Sequence, residues 1–216
     1  MDSGIRRLSL TIFKMSSSIK SRLLPALVAA LNGIALAQLP ESKIVASDAA
    51  TGDNFGRSVA ISGDYAIAGA PYDDDGGTNS GSAYIFKRSG TEWSQEDKIV
   101  ASDPAANDVF GISVAISGDY AIVGAHNDDD GGSSSGSAYI FKRSGTEWSQ
   151  EDKIVASDPA ANDVFGISVA ISGDYAIVGA HNDDDGGSSS GSAYIFKRSG
   201  TEWSQEDKIV ASDPAQ

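Results

Sequence analysis

Residues 110–141 read FGISVAISGDYAIVGAHNDDDGGSSSGSAYIF, and the same 32-residue stretch returns at 165–196. A looser copy occupies 55–86. Around them, KIVASD opens at Lys43, Lys98, Lys153 and Lys208, a constant step of 55 residues, and residues 98–152 are identical to 153–207. The copy at 43–97 departs mainly between Ala49 and Arg57 and at Pro71, Tyr72, Thr78 and Asn79. A period of this size marks units that stack or surround an axis, so one unit explains most of the chain.

Within the unit, Ser58 to Ser62 alternates with Val59 and Ile61 on one face, and Gly63-Asp64 is a Gly-first two-residue turn. Tyr65 to Ala70 continues the alternation, with Tyr65, Ile67 and Gly69 on one side and small alanines on the other. Gly69 predicts close approach of a neighbouring backbone. The run Asp73 to Gly81 is too rich in Asp, Gly and Ser to be a strand. Ser82 to Arg88 then places Tyr84 and Phe86 opposite Ala83 and Ile85. Trp93 to Ala101 is apolar at its ends, and its centre of Gln95, Glu96, Asp97 and Lys98 predicts an exposed edge strand that resists pairing. No stretch beyond the N-terminal leader has helical periodicity. The pattern predicts an all-β fold of β-propeller-type blades, each of four antiparallel strands, with a stacked solenoid as the alternative.

Met15 to Ala37 reads MSSSIKSRLLPALVAALNGIALA: two basic residues, an apolar run and a small-residue close, the pattern of a secretory signal peptide. The run is about 15 residues, short of the roughly 20 that span a bilayer. The chain therefore divides into a signal peptide (1–37), a lead-in carrying the end of an outer strand (38–54), and blades at 55–109, 110–164 and 165–216. From Gln38 onward, 11 basic side chains stand against 29 acidic ones, leaving −18. That charge repels nucleic acid and anionic membranes and favours cations or basic surfaces. With no cysteine, neither a disulfide frame nor a thiolate metal site is available.

Phe55-Gly56 followed by Gly69-Ala70-Pro71 resembles the FG-GAP repeat, the blade unit of integrin α-subunit propellers. The likeness is strongest to the variant of secreted bacterial and algal proteins, in which KIVASD, FG.SVAISGDYAIVGA and GSAYIFKR recur together. The later copies, Gly124-Ala125-His126 and Gly179-Ala180-His181, put histidine where the motif has proline. The resemblance implies a propeller that binds proteins or other ligands on its loop faces, as in adhesion. Integrin-like blades often carry a DxDxDG calcium loop between the FG and GAP strands; here that interval holds only SGDY.

Acidic residues lie after the GA strand instead: Asp73, Asp74 and Asp75, then Asp128, Asp129 and Asp130, then Asp183, Asp184 and Asp185. These are the calcium candidates, although three consecutive carboxylates lack the alternate spacing of an EF-hand loop, and a solvated hairpin loop accounts for them equally. His126 and His181 could join a transition-metal site only if separate blades converged their ligands. Trp93, Trp148 and Trp203 are expected between adjacent blades. No nucleophile elbow occurs, and identical repeats supply a catalytic constellation poorly, so no enzyme activity is expected.

These features together predict a secreted, non-catalytic module for extracellular or cell-surface proteins or glycans, calcium-assisted if the Asp runs bind. A purely structural extracellular array and a piece of a larger propeller-containing secreted protein, such as a hydrolase, are the alternatives. Three blades fall below the four to eight that close a propeller, which leaves a fragment, an assembly of copies or an open arc. An open arc is expected to leave faces such as those bearing Val114, Ile116 and Ile122 wet, favouring self-association through open blade edges.

Overall fold

The computed structural model describes residues 43–212; the expected leader, the start of the lead-in and the last four residues lie outside them. The described residues form twelve strands and no helix. The first sheet comprises β1 (Val59–Ser62), β2 (Tyr65–Ala70), β3 (Ser82–Ser89) and β4 (Glu92–Ile99). The second comprises β5 (Ser113–Ser117), β6 (Tyr120–Ala125), β7 (Ser137–Ser144) and β8 (Glu147–Ile154). The third comprises β9 (Ser168–Ser172), β10 (Tyr175–Ala180), β11 (Ser192–Ser199) and β12 (Glu202–Val210). Each is an antiparallel meander in sequence order, as expected of a propeller blade.

The predicted turn stands at the start of each blade. Ser62 pairs with Tyr65 across Gly63-Asp64, and Gly63 takes φ +59°, the left-handed conformation that a Gly-first hairpin requires. On the partner strands, Ile85 pairs with Asp97 but Phe86 with Gln95, so Glu96 is an extra residue. The same bulge recurs opposite Ile140 and Ile195.

The period-two pattern gives every blade two apolar faces. One, here the leading face, carries Val114, Ile116, Val123, Tyr139, Phe141 and Trp148 in the second blade. It packs on the trailing face of the first, which offers Ala60, Tyr65, Ile67, Ala83 and Ile85. The third blade packs on the second in the same way. Among the described residues, the row of three sheets does not close into a ring. Val114, Ile116 and Ile122, expected to be wet in an open arc, are 6%, 7% and 0% exposed, because each lies at a junction between blades. The wet strand faces are at the two ends of the row, with Val59 and Ile61 at one and Tyr175 and Ile177 at the other.

The close approach foreseen at Gly69 occurs between blades. A β-carbon there would lie 1.9 Å from the Gly111 carbonyl oxygen, and one at Gly124 would lie 1.9 Å from that of Gly166. Each junction is also hydrogen-bonded: Val114 N donates to Ser58 Oγ at 3.1 Å, and Asn107 N and Phe110 N donate to the Thr78 and Ser80 carbonyls at 2.8 and 2.9 Å.

The fourth strand is an edge of its sheet, as its composition predicts, but its polar centre is not simply solvated. Gln95 Oε1 accepts from Ser47 N at 2.9 Å, and Asp97 Oδ2 accepts from Trp148 N of the next blade at 2.9 Å. Glu96 is turned inward by the bulge to within 3.3 Å of Lys87 Nζ. These side chains fasten neighbouring segments together, which accounts for charge in a strand that is half buried.

Candidate functional site

The acidic run and the fourth strand meet in a network that repeats in every blade. Asp73 is buried in the loop three residues beyond β2, and Asp75 stands two residues on at the loop surface. Lys98 Nζ, from β4, lies 2.7 Å from Asp48 and 3.2 Å from Asp73, and also pairs with Asp75. The Tyr84 hydroxyl lies 2.8 Å from Asp48 and 2.9 Å from Asp73. In the second blade Lys153 stands among Asp103 (2.8 Å), Asp128 (3.1 Å) and Asp130 (2.5 Å). In the third, Lys208 stands among Asp158 (2.8 Å), Asp183 (3.0 Å) and Asp185 (2.5 Å). Tyr139 and Tyr194 repeat the part of Tyr84. Asp103 follows the last strand of the first blade yet serves the second, so the network is also a latch between blades.

Each set is a carboxylate trio closed around an ammonium that rests over a tyrosine ring, 5.0–5.2 Å from its centroid. The charges shift one another accordingly. Burial raises the Asp183 carboxyl, but hydrogen bonds from Tyr194, Ser192 and Lys208 outweigh it and bring it down to about 2. Asp73 and Asp128 are likewise held below the ordinary carboxylate range against the effect of burial, by hydrogen bonds from backbone amides, tyrosine and lysine. Burial lowers Lys98, Lys153 and Lys208, yet their carboxylate partners raise all three well above the usual lysine range.

The nine aspartates singled out from sequence therefore do different things. Asp73, Asp75, Asp128, Asp130, Asp183 and Asp185 face the lysines. The middle members turn away: Asp74, Asp129 and Asp184 accept from the backbone amides of Asn79 (2.7 Å), Ser134 (2.7 Å) and Ser189 (2.6 Å), closing the loop on itself. Asp48, Asp73 and Asp75 bring one oxygen each within 4.8 Å of the others, a spacing that could hold a cation. Calcium, however, takes six to eight oxygens, and the residues present supply an ammonium at the focus of three carboxylates. They fit the lysine and not the ion.

His126 is half buried, with no hydrogen-bond partner for Nδ1. Burial, and then the neighbouring His181, hold it below the ordinary imidazole range. Neither histidine belongs to the carboxylate cluster. Trp148 packs edge-on against Tyr65 of the preceding blade at 5.9 Å, and Trp203 against Tyr120 at 5.9 Å, the inter-blade position foreseen for them. Asp48, Asp103, Asp158 and the three lysines, visible in the sequence only as parts of the recurring KIVASD, were not among the site candidates. Their signal is recurrence alone, an Asp fixed 25 residues before each acidic run and a Lys 25 residues after it.

A family model described as FG-GAP repeat matches residues 40–86, 93–141 and 148–196, well over half of the chain. The chain belongs to the FG-GAP repeat family. The two halves of the FG-GAP signature are joined in each blade: Gly56 N donates to the Gly69 carbonyl at 2.9 Å, Gly111 N to Gly124 at 3.0 Å and Gly166 N to Gly179 at 3.1 Å. The phenylalanine of each FG pair packs edge-on against its own blade's tyrosine and phenylalanine, as Phe110 does against Tyr139 (5.4 Å) and Phe141 (5.9 Å). FG-GAP repeats form propeller-type modules often engaged in binding. Among solved structures, that of Saccharomyces cerevisiae Sqt1 is similar at 7% identity and a TM-score of 0.44, over 74% of this chain and 37% of that one. No curated protein matches the chain. Among the described residues, no helix is long and apolar enough to cross a membrane.

Proposed function

We propose that this FG-GAP chain is a secreted, non-catalytic module that binds an extracellular or cell-surface protein or glycan through the loops that follow its GA strands. The observation that carries this reading is the repetition of one exposed acidic loop at the same position in all three blades. Asp74 and Asp75, Asp129 and Asp130, and Asp184 and Asp185 are all exposed, and each loop tip is held to the next blade where one follows, as by the bond from Asn107 N to the Thr78 carbonyl (2.8 Å). A row of like-charged, backbone-braced loops suits a partner with basic groups. The FG-GAP membership and the signal-peptide-like sequence at 15–37 support an extracellular setting. The lysine in each trio supplies the positive charge that calcium supplies in other acidic loops, so binding proceeds without added calcium.

Binding of the purified chain to arrays of extracellular proteins and glycans tests this. Selective hits are expected, weakened by salt and weakened again when a positive charge is placed at each exposed tip by Thr78→Lys, Ser133→Lys and Ser188→Lys together. Hits indifferent to those changes, or none, would favour a scaffold without a ligand. Calorimetric uptake of calcium at millimolar concentration by the unaltered chain would overturn the lysine assignment.

A further inference from the structure

The two ends of the row carry the two halves of a junction that the molecule already makes twice. At the first junction, Tyr65 takes the edge of Trp148 and lies under the Arg143 guanidinium, 4.7 Å from its ring centroid. Asp97 Oδ2 accepts from Trp148 N, and the Gly111 carbonyl covers Gly69. The second repeats this with Tyr120, Trp203, Arg198 (4.6 Å), Asp152 and Gly166 over Gly124. On the trailing face of the third blade the same residue types are uncovered. Tyr175 is 45% and Ile177 39% exposed, around a shallow apolar depression that Ala170, Ser172 and Ile195 also line. The equivalents Ile67 and Ile122 are buried. At the opposite end, the leading face of the first blade exposes Val59 (68%) and Ile61 (67%), whose equivalents Val114 and Ile116 are buried. There Arg88 lies over Trp93, 5.9 Å from its centroid, whereas Arg143 and Arg198 cover a tyrosine of the preceding blade.

We propose that the trailing face of the third blade docks the leading face of the first blade of a second copy, and that two copies close a six-blade ring through two such junctions. The occupant follows from continuity with the internal junctions. Val59, Ile61, Tyr84, Phe86 and Trp93 are the same residue types as Val114, Ile116, Tyr139, Phe141 and Trp148, which already cover an identical tyrosine, isoleucine and glycine. In the docked copy Trp93 and Arg88 engage Tyr175, Trp93 N donates to Asp207, and the Gly56 carbonyl covers Gly179. The Arg88–Asp64 pair is no obstacle, because Arg143 keeps its own pair with Asp119 while it covers Tyr65. Ile44 and Ala46 of the docked copy already pack beside its Trp93, as Ile99 and Ala101 pack beside Trp148, so the junction needs nothing beyond Val210 of the first copy. A head-to-tail junction gives a closed ring when its rotation closes, and rings of this architecture hold four to eight blades. With three blades per chain, two chains fall in that range.

Sedimentation and light scattering of the purified chain over a concentration series test the proposal, with a mass of two chains expected. Gly179→Ala is the discriminating variant. In a single chain its β-carbon meets closely only the Ser168 hydroxyl, but at a junction it would face a carbonyl oxygen as Gly69 and Gly124 do. It is expected to weaken association at least about 100-fold while circular dichroism and the melting of the monomer stay unchanged. Val59→Asp, at a position already open to water, is expected to give monomers too. A monomeric unaltered chain at tens of micromolar overturns the proposal. So does a Val59→Asp chain that still dimerises, since that would mean pairing through the third blade alone. Assemblies that grow beyond two chains with concentration overturn the ring.

Discussion

Gly124 and Gly179 occupy the same place in two identical 55-residue copies, yet alanine is expected to act very differently at them. Neither has the positive φ that would make a side chain strained in itself, so the outcome depends on what the new methyl meets. At Gly124 it would lie 1.9 Å from the Gly166 carbonyl oxygen and 2.8 Å from its carbon, both backbone atoms of the next blade. Ordinary contact needs about 3.2 Å or more, so the turn around Gly166 would have to retreat by more than about 1 Å or the blades would part. That turn is anchored by buried Phe165 against Tyr194 and by the bond from Ser113 Oγ to the Gly166 carbonyl (2.7 Å). Overpacking of this kind costs about 1–3 kcal/mol or more, and the lost hydrogen bond about 1 kcal/mol. The reduced freedom of the unfolded chain returns about 0.4–1 kcal/mol, for a net loss of about 3 kcal/mol. At Gly179 the near atom is Ser168 Oγ at 2.4 Å, which can rotate away, and the next is 3.7 Å distant. There the same entropy gain offsets most of the cost, and stability should stay within about 1 kcal/mol of the parent. Urea unfolding followed by tryptophan fluorescence, at dilutions where the chain is monomeric, measures both. Equal losses at the two positions would refute the inter-blade origin of the glycine requirement.

Lys153→Met removes the ammonium from among Asp103, Asp128 and Asp130. Stranding a buried charge costs about 3–5 kcal/mol, but two of the three carboxylates are exposed, so a loss of about 2 kcal/mol is expected by urea unfolding. The melting temperature of that variant, unlike that of the parent, should then rise with millimolar calcium, because an ion can take the vacated centre. In acid, Asp48, Asp73, Asp128 and Asp183, all depressed in the folded chain, contribute stability above about pH 4 that disappears as pH falls toward 2. Asp108 and Asp163, which burial raises, act in the opposite sense and soften that loss. The elevated lysines contribute fully below about pH 10 and lose their effect only above it, and half-buried His126, held low in the folded chain, costs some stability once the unfolded imidazole takes up its proton below about pH 6.5, so melting temperature should plateau from about pH 7 to 9; a maximum below pH 4 would contradict this. At dilutions where the chain is monomeric, Trp148→Ala should cost about 3–4 kcal/mol and Trp93→Ala less than half of that, since of the two only Trp148 fills a junction within the chain. Matching losses in thermal unfolding would count against it.

Strand faces and turns were legible because they depend on neighbours along the chain. Val59 with Ile61, Tyr65 with Ile67, and Gly63-Asp64 each carry their structure in a few adjacent residues. The acidic run was legible as a feature but not as a mechanism. Asp73 and Asp75 take opposite surroundings from Asp74 because alternate side chains point to opposite sides of the chain, and their partners lie 25 residues away on either side. The bulge at Glu96 was hidden for a related reason. One extra residue shifts the register of the fourth strand, so a sequence that reads as a polar edge delivers Gln95, Glu96, Asp97 and Lys98 to four different partners. Local alternation cannot show which of them meets water.

Identity of sequence also did not mean identity of surroundings. Ile122 and Ile177 belong to indistinguishable segments, and one is sealed while the other is open to solvent; the difference belongs to the row and not to the residue. The same holds for charge. Each trio sets three carboxylates against one ammonium, so every blade keeps two net negative charges at one end even after its internal pairing. These excess charges recur at each junction and are partly exposed through Asp75, Asp130 and Asp185. The lysines therefore hold the loops in place without discharging them. A basic partner of the kind proposed would meet carboxylates that are already positioned, and would not need to displace the lysines to profit from the remaining charge.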